Sequence, residues 1–473
     1  MDRFPSRPAR ALTLTLAILS ALAGTTHATQ PGTPPDPIRR VVTDTMNLYD
    51  VPGLALARIA AGNVVWIGTF GRADANRPVT RQTLFNVASL TKPMFAVMVM
   101  HLIQDGRTTL DEPLANGWVD PDIQDDPRHR QLTARLSLSH QTGLPNWRGN
   151  NPLFFMFDPG TRHEYSGEGF EYLRRALERR TGQSMDALMS QYVTGPLNLN
   201  HTHYGWHRRL EPRIATGYDE SASPLDVGYL EHRSTNAAAN TFTTIGDYAD
   251  FAAWVAGGAG LSDAGFREMT SLQSQHDDPW EFFGLGWRLL LLDDRTVLEH
   301  DGRESGVRTQ VFIDPESGDG LVILTNSSNG ELVVRPLLEA TWPKSDDILH
   351  QRDTDTWHYL QSLPGSMHWN MVNFIAGSPS FTLKLLHAAQ VGLIEPSGLS
   401  DSELARARAA IDDFVVRMHR GELSQADVMN QLMILGSGEG KDFRLDDHWT
   451  SSDSKVWINR LLDVSAEFTQ PGS

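Results

Sequence analysis

The feature that most constrains this chain is the stretch Asn86-Val87-Ala88-Ser89-Leu90-Thr91-Lys92-Pro93-Met94 and the apolar run behind it. From Phe95 to Ile103 every residue is apolar except His101, and Asp105-Gly106 ends the run. A run of that length without period-two alternation predicts a helix buried on all sides. Ser89 falls at its start, where a serine caps free backbone N–H groups. Pro93 is tolerated there because the first N–H groups of a helix have no intrahelical partner. Ser89 and Lys92 are three apart and share one helix face. As a capping serine with a solvated lysine one turn on, the pair is ordinary. Held together at a buried helix end it is a candidate for chemistry. Burial disfavours the ammonium, and a neutral amine can take the proton of Ser89.

At 473 residues the chain exceeds one typical domain and can bury a large core. A formal net charge of −17 argues against nucleic acid or an anionic membrane surface as the main partner. The absence of cysteine removes disulfides, thiolate metal sites and a Cys nucleophile. Arg3, Arg7 and Arg10 precede the apolar run from Ala11 to Ala23, and Thr26-His27-Ala28 supplies small residues before a cut. Residues 1–28 therefore read as a secretory signal peptide, too short and one-sided for a membrane span, and no other segment approaches membrane length.

Residues 29–37 are Pro-rich and read as a disordered linker. Ile38 to Tyr49 reads as a helix. Leu54–Ile59 and Val64–Phe70 read as strands joined in a hairpin through Ala60-Ala61-Gly62-Asn63. Asp111 to Asn150 is irregular, with a short helix near Leu136. Phe170–Thr181 reads as a helix closed by Gly182, and Asn240–Gly257 as another opened through Thr243-Thr244. Four later β-type runs, Trp287–Leu292, Val297–His300, Thr309–Ile313 and Gly320–Thr325, predict an antiparallel set, closed by an amphipathic helix from Glu331 to Trp342. The polar, acidic residues 343–355 read as a linker. Residues 356–473 read as a helical extension, with capping-box patterns at Ser400-x-x-Glu403 and Ser424-x-x-Asp427. Two strands followed by the Ser89 helix favour an α+β domain over a doubly wound parallel sheet.

Ser-x-x-Lys alone is a weak signal. Its weight comes from Tyr165-Ser166-Gly167 after Pro159-Gly160-Thr161, from His300-Asp301-Gly302 between two β-type runs, from Leu138-Ser139-His140-Gln141-Thr142-Gly143-Leu144-Pro145, and from Gly284-Leu285-Gly286-Trp287. In this order the segments resemble the serine β-lactamase and penicillin-binding-protein-like hydrolases, specifically the branch holding class C β-lactamases, D-aminopeptidases and carboxylesterases. The resemblance spans residues 38–342. It implies an antiparallel sheet flanked by helices with an inserted all-helical domain, in a protein that is periplasmic after export. It also implies that Ser89 is the acylated nucleophile, that Lys92 shares its proton, and that Tyr165 is the second proton shuttle. His300 and Gly302 would lie on the edge strand beside the site, and the backbone N–H groups of Ser89 and Arg303 would form the oxyanion hole. No metal or organic cofactor is implied; His201, His203 and His207 read as loop histidines. His140 reads as a structural residue that ties down a turn, and Tyr218 as a packed loop aromatic. No Gly-x-Ser-x-Gly motif of the α/β-hydrolase kind is present.

Two departures bear on substrate. Gly167 stands where the family usually has Asn, whose amide holds the lysine and a substrate amide. His300 replaces the family's Lys and is mostly neutral near pH 7, although Arg303 or Arg308 could substitute for that cation. Both favour a small-molecule ester or small amide over a peptide or β-lactam, with Met156 and the phenylalanines beside it as an apolar acyl pocket or as core packing. A D-amino-acid peptidase or weak β-lactamase is the alternative within enzymes. From another class comes a penicillin-binding or peptidoglycan-sensing protein that is acylated without turnover. Oligomeric state is open.

Overall fold

The computed structural model describes residues 31–226, 234–275, 281–343 and 345–362. The signal-peptide segment and the helices expected after residue 362 lie outside these.

The described residues open with α1 (Asp36–Leu48) and a hairpin of β1 (Gly53–Ala60) and β2 (Asn63–Gly71) turned by Ala61-Gly62. A short strand β3 (Phe85–Asn86) leads through a single 3-10 turn, Ala88–Leu90, into α2 (Thr91–Gln104). The middle of the chain carries α3 (Ala134–Leu138), α4 (Gly167–Thr181) and α5 (Met185–Met189). Beyond them come β4 (His203–Tyr204), β5 (Thr241–Thr243), α6 (Ile245–Ala256) and α7 (Asp263–Thr270). The strands β6 (Ser274–Gln275), β7 (Phe282–Phe283), β8 (Arg288–Leu291), β9 (Thr296–Glu304), β10 (Val307–Asp314) and β11 (Asp319–Thr325) precede α8 (Val334–Thr341) and α9 (Ser345–Ser362).

Among the described residues the main sheet is antiparallel, in the order β2-β1-β11-β10-β9-β8-β7-β6. An early and a late strand thus meet near one edge, where β1 pairs with β11. Both faces are covered. Alternate residues of β1 go to opposite cores: Ala55, Ala57 and Ile59 face α2 and α6, and Leu54 and Leu56 face α1, α8 and α9. A strand buried on both faces reads as a near-continuous apolar run, which this segment shows apart from Arg58, whose buried guanidinium pairs with Asp319 at 3.1 Å.

The helix expected from the apolar run is α2, and residues 91–100 and Leu102 on it are buried. Its Ser89 does not cap it, for no side-chain cap bond exists at this end. The α4 helix begins three residues earlier than its apolar pattern suggested, because Ser166 caps the Gly169 N–H. The helix expected over 240–257 begins with a strand instead: Thr241–Thr243 pair with β3 and β4 as a small sheet, and Thr244 caps α6 behind it.

Two segments expected as linkers are built into the fold. Gly32 pairs with β2, its N–H donating to the Val65 carbonyl (3.0 Å) and its carbonyl accepting from Ile67 (3.1 Å). Residues 345–355 form the first part of α9, where Ile348 and Leu349 join the core beneath α8. Arg295 holds Asp347 at 2.7 Å, and Arg352 lies 3.5 Å from Glu299. Composition misled at both places: Pro34, Ile348 and Leu349 are a few buried anchors within polar surroundings, and a single amphipathic stripe suffices to dock a segment.

Candidate active site

Ser89 sits in the 3-10 turn between β3 and α2. The residue before it, Ala88, has φ +47°, a left-handed conformation that a residue with a Cβ rarely adopts. Its surroundings hold it there. The Ala88 N–H donates to Asn86 Oδ1 (2.9 Å), Thr91 Oγ1 donates to the Ala88 carbonyl (2.7 Å), and Leu90 N–H closes the turn on the Val87 carbonyl (3.0 Å). Thr309 on β10 donates to the same Val87 carbonyl (3.0 Å) and ties the turn to the sheet.

Lys92 lies one turn further along and is fully buried. Its Nζ is 3.2 Å from Ser89 Oγ and donates to the Ala238 carbonyl at 2.9 Å. It also stands over the Tyr165 ring, 4.6 Å from the centroid, and 5.6 Å from that of Phe170. Burial pulls the Lys92 pKa down to about 7, against the opposing pull of Asp301, Glu304 and Glu171.

Tyr165 immediately precedes the cap of α4, and its ring lies beneath the Lys92 amine. Burial pushes it well above the usual tyrosine range, and the charges of Asp301 and Glu281 add to this, so it is protonated at neutral pH. Ser89 and Tyr165 thus both lie beside the Lys92 amine. The expected trio comes together.

The remaining residues lie on β9, which is not the edge strand expected but lies between β10 and β8; β8 pairs with its Thr296–Glu299 part only, and the part from His300 on pairs with β10. The His300 ring is 6.3 Å from that of Tyr165, centroid to centroid. Its Nδ1 lies 2.8 Å from the Asp301 carbonyl, and its Nε2 is buried with no hydrogen-bond partner among the described residues. Burial lowers its pKa to about 4, so the ring is neutral at pH 7. Gly302 faces the Ser89 turn, and Arg303 follows it. The Arg303 guanidinium is half exposed and reaches Glu331 at 2.8 Å. Arg308 donates to the carbonyls of Glu304 (2.6 Å) and Val307 (2.7 Å). Both arginines that could have replaced the missing lysine are thus engaged by groups of this chain.

Further residues shape the site, and of these Phe283 and Trp147 carried no sequence signal. His140, at φ +59°, stacks on Tyr165 at 4.2 Å, and its Nδ1 accepts from the Ser166 N–H at 3.1 Å. It does tie down a turn, as expected, but the turn is the one that carries Tyr165. Burial and the nearby His163, Lys92 and His300 keep it neutral. Phe283 packs edge-on against His140 at 4.9 Å. Trp147 lies over Gly167. A Cβ at Gly167 would come within 2.8 Å of the indole and 2.9 Å of the Asn146 carbonyl, so the position is closed to a side chain. The tryptophan is held there because Asn146 Oδ1 accepts from Gly167 N–H (3.0 Å), Ser166 Oγ donates to the Pro145 carbonyl (2.9 Å), and Arg148 pairs with Glu168 (2.9 Å). The aromatic patch from Phe154 divides: Phe155 enters the main core, whereas Phe154 and Met156 face solvent.

Residues 38–340 match the family model described as beta-lactamase. The chain is 26% identical over 277 residues to a beta-lactamase of Escherichia coli strain K12, covering 54% of this chain and 70% of that one. It is 27% identical over 311 residues to penicillin-binding protein 4 of Amycolatopsis lactamdurans, covering 59% and 81%. The D-amino acid amidase of Ochrobactrum anthropi SV3, solved with L-phenylalanine, shares the fold, with a TM-score of 0.53 at 24% identity over 64% of this chain and 98% of that one. The expected antiparallel sheet with flanking helices is present, and the chain belongs to the beta-lactamase family, the serine hydrolases that share the β-lactamase and penicillin-binding-protein fold.

Proposed function

We propose that the protein is an exported, periplasmic serine hydrolase that acts through a Ser89 acyl-enzyme on uncharged small esters or amides. The observation that carries this is the Lys92 amine, buried, near-neutral in pKa and 3.2 Å from Ser89 Oγ. Above about pH 7 the neutral amine takes the Ser89 proton as Oγ bonds to the substrate carbonyl carbon. The backbone N–H groups of Ser89 and Arg303 receive the resulting oxyanion. As the tetrahedral adduct collapses, the bond to the leaving group breaks and Tyr165 supplies that group's proton, which Lys92 then replaces. Water attacks the acyl-enzyme by the reverse sequence, giving the acid and free Ser89. The protons move among Ser89, Lys92 and Tyr165, and the scheme calls on no metal or cofactor.

Preference for uncharged substrates rests on the neutral His300 and on the internal partners of Arg303 and Arg308. Among the described residues on β9 and β10 these set no unpaired cation against a substrate carboxylate of the kind that β-lactams and peptide C-termini carry. The fold shared with a D-amino acid amidase supports small amides beside esters. A second reading rests on Gly167: without an amide at that position Ser89 would be acylated by a penicillin and released slowly, as in a penicillin-binding or sensing protein.

The test is hydrolysis of a short-chain p-nitrophenyl ester by the mature protein beside Ser89→Ala and Tyr165→Phe. Turnover lost in Ser89→Ala is expected. Turnover that survives in Ser89→Ala would remove the proposal, and a stable penicillin adduct without ester turnover would favour the second reading.

A further inference from the structure

We infer that Glu171 is the positioning residue of Lys92, acting through the backbone of Ala237 and Ala238, and that it takes over one turn along α4 the task that an amide at position 167 would perform. The inference rests on the reading of Ser89 as the nucleophile and Lys92 as its base.

Gly167 and Glu171 are four apart on α4 and so share a face, the face on which Phe170 also approaches Lys92. Nothing from position 167 reaches the amine, because glycine has no side chain and Trp147 fills the space beside it. Lys92 Nζ has instead a single protein acceptor besides Ser89 among the bonds described, the Ala238 carbonyl. That carbonyl belongs to an irregular segment between the 227–233 stretch and β5, and such a segment needs external fixation to hold one atom in place.

Two side chains supply the fixation. Glu171 is buried, and its Oε1 accepts from the Ala237 N–H at 2.7 Å. Asn236 Oδ1 accepts from the N–H groups of Ala238 (2.7 Å) and Ala239 (2.9 Å). Glu171 is in turn fixed by Arg174, whose Nε and second guanidinium nitrogen each lie 2.9 Å from its two oxygens. A rigid helix thus holds an otherwise loose carbonyl against the amine. The carboxylate also acts at a distance, since its charge favours the ammonium form of Lys92. The other charges acting on Lys92 are Asp301 and Glu304 from β9. Tyr165, His140 and His300, which crowd the same space, are neutral at pH 7.

These two roles separate experimentally. The readout is the rate at which a fluorophosphonate phosphonylates Ser89, in which Oγ displaces fluoride and loses its proton, followed by intact mass over a pH series that brackets the Lys92 midpoint. It needs no knowledge of the natural substrate. Glu171→Ala removes tether and charge, and its plateau rate is expected to fall about tenfold or more. Glu171→Gln keeps an oxygen acceptor for Ala237 but no charge, so it retains more of the plateau than Glu171→Ala while its acid limb moves to lower pH. Asn236→Ala weakens the tether and keeps the charge, and it lowers the plateau even if Glu171→Ala fails to fold. A merely structural Glu171 would lower the melting temperature and leave the acid limb of Glu171→Gln where wild type has it; that result overturns the inference, as does an unchanged plateau in both Asn236→Ala and folded Glu171→Ala. Wild type that takes no label at Ser89 would overturn the nucleophile assignment itself and this inference with it, an outcome told apart because the adduct is absent rather than slow.

Discussion

Gly302 of β9 lies so close to Val87 that a Cβ on it would stand 2.2 Å from the Val87 carbonyl oxygen. The two residues join the sheet to the turn that carries Ser89. Thr309, the cross-strand partner of Gly302, donates to the same carbonyl. The glycine is there for the approach of two backbones rather than for an unusual dihedral angle.

Gly302→Ala therefore should push the turn away from β9. Misplacement of a reacting group by about 1 Å lowers rates about 100-fold, and kcat/KM for the ester substrate is expected to fall by that order. Thermal melting of the variant checks that it is folded. A folded variant with near-wild-type kcat/KM would mean that the turn does not depend on this contact.

The pH dependence has a defined sign. Lys92 must be neutral to accept the Ser89 proton, so kcat/KM should rise through a single acid limb near pH 7. Stability follows the same group. Folded, it loses its proton at about 7, against 10.5 for an ordinary lysine. Between those values the unfolded chain binds a proton that the folded chain does not, and stability falls as pH drops through the window. Lys92→Met should abolish turnover and, at neutral pH, stabilise the protein by about 1 kcal/mol, as substitutions that relieve a functional strain do. The gain should shrink as pH rises toward 10.5. Denaturation of both proteins at neutral and alkaline pH measures it, and a destabilised variant at neutral pH would contradict the burial argument.

Trp147 and Gly167 should behave as a coupled pair. Gly167→Asn alone meets the indole, and its ester turnover is expected to drop. Trp147→Ala in the same chain removes the clash with the indole but leaves that with the Asn146 carbonyl, so the double variant should recover part of the lost turnover. A double-mutant cycle measures the coupling. Additive effects would show that the two positions act independently.

The helix α9 should be inseparable from the hydrolase domain. Ile348→Ala removes a fully buried side chain and should cost about 2–4 kcal/mol of stability in a denaturant titration. Limited proteolysis should spare the peptide bonds between Trp342 and Ile348. A stable fragment ending near Trp342 would sink this expectation.

Local pattern carried the α2 helix, the β1–β2 hairpin and the later strands, because apolar periodicity, turn residues and capping act over a few neighbours. Motif order carried Ser89, Lys92, Tyr165, His300 and Gly302 as a set. What the sequence by itself determined, then, was which residues could do chemistry and roughly which elements hold them. Only the tertiary structure decided what each one faces. Composition hid Ile348 and Gly32 as docking points, since one buried side chain or a pair of backbone hydrogen bonds fixes a segment whose other residues are solvated. Glu171, Trp147, His140 and the Ala238 carbonyl reach the site from separate stretches of chain. Their distances from Ser89 and Lys92 are set by packing between elements far apart in sequence, and no spacing along the chain encodes such a distance.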